Sequence, residues 1–279
     1  MSVIAGSATS NTTPVDGTGT AAVFWGGGDM VLDPVSGNLL VSDVGRLRQV
    51  TMSGQVTTLD QTFAWTGLAM DASENLYGSP QTNKEPNYPF LVKRTPAGVI
   101  QTLIPPAAAS SPDISLSSIA VDASGNIYGA DTQNRQIIRI TQAGAISVIA
   151  GSGANGSADG TGTAASFSDP SGIAFDPAGN LWVADNGNGV RKISPDGVVT
   201  TVMPGLSLSA ITVDHAGNVY ASSGFNLVRI DTTGKQVTYN FIAGAAGSNF
   251  LGALATDSNG ALYVETRGAG AQIVKMTFN

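Results

Sequence analysis

The sequence contains no cysteine. That removes disulfides, thiolate metal sites and cysteine nucleophiles. It contains one histidine, His215, so a zinc site built on two or three imidazoles cannot form within the chain. Charged residues make up 12% of the 279 positions, about half the usual share of a soluble domain. A coiled coil and a charge-solvated disordered chain are excluded on that ground. No apolar run approaches the ~18 residues of a membrane-spanning helix, so no membrane partner is expected. Thirteen Lys and Arg stand against 20 Asp and Glu, for a net charge of −7. No stretch is basic, whereas a nucleic-acid binder shows a basic patch, so no nucleic-acid partner is expected either.

What is present is repetition. The chain reads LDPVSGNLLVSD at 32–43, MDASENLYGS at 70–79 and VDASGNIYGAD at 121–131. It continues FDPAGNLWVAD at 175–185, VDHAGNVYASS at 213–223 and TDSNGALYVET at 256–266. The anchoring aspartates Asp33, Asp71, Asp122, Asp176, Asp214 and Asp257 are spaced by 38, 51, 54, 38 and 43 residues. Six units in 279 residues have the length of four-stranded propeller blades. Each unit parses as a short apolar strand, an Asp-led turn closed by Gly, and three further strands; in the fourth unit these are 181–185, 190–194 and 198–202. The turn chemistry is that of Asp bonding local amides, with Gly tolerating positive φ. With 35 Gly and 13 Pro and no sustained helical period, the expectation is an antiparallel meander with almost no helix.

The ends of the chain complete the pattern. Residues 2–6, SVIAG, copy residues 147–151, which form the fourth strand of the third unit. The C-terminal unit stops after its third strand. The N-terminal strand is therefore expected to complete the last blade, leaving no unpaired edge. A single domain over 1–279 is expected, and a monomer. Residues 160–202, GTGTAASFSDPSGIAFDPAGNLWVADNGNGVRKISPDGVVTTV, resemble the NHL repeat, most strongly over 119–202 and traceably in all six units. The resemblance implies an all-β, six-bladed propeller. It is unspecific for function, because the same blade family includes amidating lyases, streptogramin-lyase-like enzymes, RNA-binding propellers and bacterial secreted proteins.

A rotational repeat separates fold residues from site residues: what recurs in every blade serves the blade. The six aspartates read as turn residues. The column Leu40, Tyr77, Tyr128, Trp182, Tyr220 and Tyr263 reads as packing between blades. Lys93, Arg139, Lys192, Arg229 and Lys275 read as an intra-blade or surface feature. The expected channel-lining column is Val31, Ala69, Ala120, Ala174, Thr212 and Ala255. The residues where those strands begin are Asp29, Gly67, Ser118, Gly172, Ala210 and Ala253. One carboxylate in six makes no metal cage, so no metal and no cofactor is expected. His215 reads as an exposed turn residue, and no Ser-His-Asp triad can be assembled. The Asp-Gly-Thr-Gly-Thr segments at 16–20 and 159–163 read as tight turns rather than calcium or phosphate loops. Asp43, Asp131 and Asp185, with Glu265 placed in the same column, read as strand caps or as a mildly acidic rim.

The residues that break the repeat fall on one face, where the loops between strands two and three and between strands four and one emerge. They are Trp25, Trp65, Tyr88, Arg135, Glu265 and Arg267, with insertions at 79–90 and 105–115. Loops on a rigid scaffold carry function, and exposed Trp, Tyr and Arg anchor partners. The expectation is a non-catalytic binding or scaffolding module, taking a protein, glycan or small ligand on that face. The alternative is a lyase or lactone hydrolase with an atypical site. A secreted or periplasmic location is expected from the scarcity of Lys, the absence of Cys and the abundance of Ser, Thr, Asn and Gly, with a signal peptide removed.

Overall fold

The structure is a computed structural model of residues 1–279 that describes all but 10–12, 81–90, 105–113, 241–249, 269 and 279. Tyr88 and most of both insertions lie outside the described residues. The fold is an all-β, six-bladed propeller of antiparallel four-stranded sheets. Two blades each gain a two-residue fifth strand, Gly17–Thr18 and Gly160–Thr161. Among the described residues the helical elements are the 3₁₀ turns Gly19–Ala21 and Gly162–Ala164. The fourth blade shows the pattern: Pro170–Phe175, Leu181–Asp185, Gly189–Ile193 and Val198–Pro204 in consecutive antiparallel pairing.

Each repeated motif forms one connected device. Asp176 accepts from the amides of Ala178 (3.0 Å) and Asn180 (2.9 Å), which closes the turn. Its second oxygen accepts from Trp182 Nε1 at 2.9 Å. Lys192, directly across the next strand pair, holds its ammonium 5.4 Å from the Trp182 ring centroid. The same Asp–aromatic bond recurs at Asp71–Tyr77, Asp214–Tyr220 and Asp257–Tyr263. The same cation–ring contact recurs at Lys93–Tyr77, Arg229–Tyr220 and Lys275–Tyr263. Three columns read separately in the sequence thus form an Asp–aromatic–cation stack in the second, fourth, fifth and sixth blades, while the first blade has Leu40 opposite Gln49 in their place. Each stack adds a cation–π term of about 0.5–1 kcal/mol to the burial of its ring. His215 follows Asp214 in its turn and is exposed, as expected.

Contacts cluster the chain into two units, each with its own core. One comprises Met1–Trp65 and Ser209–Asn279, the other Thr66–Leu208. In the first, Ala5, Phe24, Leu39, Val41, Tyr263 and Ile273 form one buried cluster. In the second, Ile137, Phe167, Ile173, Val183 and Val199 form another. The N-terminal strand Ser2–Ala5 pairs with Gln272–Met276 in the sixth sheet, with Ser2 opposite Lys275 and Val3 opposite Val274. Ala5 is fully buried. The chain then crosses to the first blade, where the Gly6 amide donates to Gly19 O at 3.0 Å. Closure of the last blade by the first strand is as the repeat arithmetic required.

Candidate active site

The best-supported site is in the first unit, around Arg267. One residue before each expected inner-strand start the sequence carries Gly28, Thr66, Ser117, Ser171, Ser209 or Gly252. The hydroxyls bond backbone carbonyls: Ser171 Oγ donates to Leu208 O at 3.1 Å and Ser209 Oγ to Leu251 O at 3.3 Å. Where Gly252 interrupts that column an ion pair takes the space, and at Gly28 the space is taken by Ser42. Arg267 Nε donates to Glu265 Oε2 at 2.7 Å, and its Nη2 donates to Gly28 O at 3.1 Å. A Cβ on Gly252 would come within 2.3 Å of both Arg267 Nε and Glu265 Oε2. A Cβ on Gly26 would come within 2.8 Å of Glu265 Oε1, and Gly26 has φ +74°. The pair therefore requires glycine at both positions.

Glu265 is buried and Arg267 is a third exposed. A buried carboxylate needs compensation, and Glu265 receives it from Arg267, the Gly27 amide (3.1 Å) and the Ala253 amide (3.3 Å). The carboxylate thus fixes the arginine rather than presenting itself to solvent. Arg267 Nη1 has no acceptor among the described residues, which leaves one edge of a rigid, always charged fork for an anionic oxygen. Exposed aromatics border it. Phe250 lies directly across the strand pair from Arg267 and stacks on Phe225 with centroids 4.6 Å apart. Trp25, half exposed, precedes Gly26. Asp29, the one carboxylate among the inner-strand starts, follows Gly28.

Among the residues singled out in the sequence, Trp25, Glu265 and Arg267 are brought together here. Trp65 is not an exposed anchor. It is 2% exposed, donates Nε1 to Asp60 Oδ2 at 2.7 Å and meets Phe63 edge-on. Arg135 belongs to the other unit, in a turn where its φ is +54°. Its amide closes that turn onto Thr132 O at 3.3 Å. Phe225 and Phe250 were missed. The signal available was the same as for Trp25: large aromatics outside the repeating column.

Glu265 is also displaced from its expected column. It pairs across from Ile273 one residue after Val264, as Ser42 follows Val41, so it shares a position with Ser42, Ser79 and Ser222, not with Asp43, Asp131 and Asp185. Those three aspartates are buried and form no rim. Asp43 Oδ1 accepts the amides of Trp25 and Gly26, and Asp185 Oδ1 those of Ser168 and Asp169.

Two arginines that the sequence reading passed over anchor the Asp-Gly-Thr-Gly-Thr segments. Arg48 is fully buried and bridges Asp43 (2.7 Å) and Asp16 (2.9 Å). Arg191 repeats this with Asp185 (3.3 Å) and Asp159 (3.0 Å). The segments are thus ion-paired latches as well as tight turns. The signal was a shared separation, 32 residues from aspartate to arginine in both copies. Burial works to raise the Asp16 and Asp159 pKa values, but bonds from Thr58 and Arg48, and from Thr201 and Arg191, outweigh it and hold both below the ordinary value. Recurrence in two blades marks these latches as structural, in contrast to the single Glu265–Arg267 pair. Among the described residues no three His, Asp or Glu side chains converge as a metal would require.

The profile of the alkaline phosphatase PhoX family matches residues 35–270. No curated protein sequence matches the chain. Several solved structures share the fold at low identity. A gluconolactonase from Xanthomonas campestris is 18% identical, with a TM-score of 0.68 over 88% of this chain and 84% of that one. The calcium-binding protein regucalcin from Agrobacterium tumefaciens is 15% identical, with a TM-score of 0.67 over 92% and 91%. Virginiamycin B lyase from Staphylococcus aureus, in a catalytically inactive form with quinupristin, is 15% identical, with a TM-score of 0.59 over 90% and 82%. The expectation of a non-catalytic binding or scaffolding module is overturned by the family match. The match spans most of the chain, which therefore belongs to the alkaline phosphatase PhoX family.

Proposed function

We propose that the protein hydrolyses phosphate esters that carry an aromatic or otherwise apolar group, in an extracytoplasmic compartment. The observation that carries the reading is the open guanidinium edge of Arg267, oriented by buried Glu265, in a chain of an alkaline phosphatase family. Arg267 binds a phosphoryl oxygen through Nη1 and offsets the charge that builds there as the bond breaks. Trp25, Phe225 and Phe250 hold the apolar side of the ester. Asp29 accepts a proton from the attacking water. The water oxygen bonds to phosphorus, the ester P–O bond breaks, and the departing alkoxide takes a proton from solvent. Because no three metal-ligating side chains converge among the described residues, no step is routed through a metal. The blade repeat is proposed to be of the NHL type, on the residues quoted above.

The test is hydrolysis of p-nitrophenyl phosphate by the full chain, with and without added divalent cations, beside δ-gluconolactone as a probe of the alternative suggested by the gluconolactonase-like fold. The parent is expected to hydrolyse the phosphate ester. Arg267→Ala should lower kcat/KM by about 10²-fold or more, and it should also lower the melting temperature, because buried Glu265 loses its countercharge. Hydrolysis of the lactone alone, or an Arg267→Ala variant as active as the parent, would overturn the proposal.

A further inference from the structure

A second site lies in the other unit, at the end of the blades that carries the Asp-led turns. There a groove of about 390 Å³ runs between the second and third blades, lined by Asp71, Tyr77, Lys93, Gln101, Thr141 and Gln142 among others. That volume falls in the range of small-molecule sites. The repeat explains why it is open. In the first blade, Met52 occupies the second position of the turn between strands three and four, and its sulfur contacts Tyr263 Oη at 3.2 Å. Phe278, at the same position after the third strand of the sixth blade, stacks on Tyr220 at 5.3 Å and meets Tyr239 at 5.3 Å. The matching residue facing Tyr77 is Gln142: the turns correspond, with Thr51 and Thr141 each bonded to the glycine three residues on. Gln142 does not plug the slot. Its Nε2 turns to Ser124 O at 2.7 Å.

The walls define what the groove can hold. Lys93 Nζ lies 5.6 Å from the Tyr77 centroid and has no hydrogen-bond acceptor among the described residues. Its counterpart Lys275 has Asp257 Oδ2 at 3.4 Å. The difference is one residue. Asn75 saturates Asp71 through its amide and side chain, at 2.8–3.1 Å, together with Ser73 and Tyr77; the sixth blade has Ala261 instead of Asn75. Asp71 is therefore filled and is no cation ligand. The charges of Lys93 and Asp71 offset each other, which disfavours a phosphate or a dianion. Gln101, Gln142 and Thr141 both donate and accept hydrogen bonds, as vicinal hydroxyls do.

We infer that the groove between the second and third blades binds a neutral sugar unit, with Lys93 donating to its oxygens and the Gln101 and Gln142 amides pairing with its hydroxyls. The site is separate from the Arg267 site and independent of the reaction proposed there. The experiment is calorimetric titration of the full chain with glucose, maltose and cellobiose, with galacturonate and inorganic phosphate as charged controls. Two variants accompany the parent: Gln142→Met, which installs the side chain found at this turn position in the first blade, and Lys93→Met. Saturable binding of at least one neutral sugar is expected, with Kd raised tenfold or more in both variants. Gln142→Met should also melt at or above the parent, which shows that it folds. No heat from any neutral sugar up to about 20 mM, far above the millimolar Kd of a weak ligand, would overturn the inference. So would binding confined to the charged controls, or variants that bind as the parent does.

Discussion

Replacing Arg191 with Met is expected to cost the protein about 3–5 kcal/mol of stability, the range for removing one partner of a buried ion pair. The guanidinium is fully buried and bonded to Asp185, Asp159, Ser166 O (3.0 Å) and Ala158 O (2.9 Å). Methionine fills much of the volume, so little of the loss is cavity. What remains is Asp185, a carboxylate with no exposed surface, which keeps its bonds from the Ser168 and Asp169 amides and from Asn188 but loses its countercharge. For a chain of this size the loss corresponds to a melting temperature lower by about 6–15 °C, read by calorimetry near neutral pH. The double variant Arg191→Met with Asp185→Asn should be less destabilised than the two singles added together, by roughly 1–3 kcal/mol. A single variant that melts within about 2 °C of the parent would refute the assignment of Arg191 as the latch of the Asp-Gly-Thr-Gly-Thr segment.

Three further outcomes are expected. Removal of residues 1–6 strips the ladder from Gln272–Met276 and exposes an edge, so the truncated chain should melt far lower and self-associate in light scattering; a monomer that melts like the parent contradicts closure. Trp65→Ala should destabilise by about 3–5 kcal/mol, as for any buried tryptophan, and a variant of unchanged stability would restore Trp65 as a surface residue. Asp16 and Asp159 have lowered folded pKa values, so their contribution is present above the ordinary carboxylate value near ~3.9 and is lost as pH falls through the lower folded value. Melting temperature should therefore drop between about pH 5 and pH 2, and less steeply in Asp159→Asn; identical profiles would remove the aspartate from the linkage.

Fold was legible in the sequence because blade formation is local and periodic. Each Asp-led turn, alternating strand and glycine stop is written within about 45 residues, and six copies left only the ends to be matched. SVIAG at 2–6 supplied that match, and strand pairing followed from it. The Asp–aromatic–cation stacks were half legible: their columns could be aligned, but which columns touch depends on strand register. A shift of one residue reverses the face of a strand, and that is why Glu265 was read into the aspartate column when it belongs with Ser42 and Ser222. Trp25 and Trp65 look alike in sequence, each just before an inner strand. Only packing decided that Trp65 sinks against Phe63 and Asp60 while Trp25 stays half exposed. At the arginine site Trp25, Glu265 and Arg267 could be named as breaks in the repeat, but their pairing was not legible, because Arg267 and the Gly28 carbonyl that orients it are 239 residues apart. Such a pair has no local signature: it exists because the chain's first strand returns to its last blade, which brings the glycine-rich segment at 26–28 against the final hairpin of the sixth sheet.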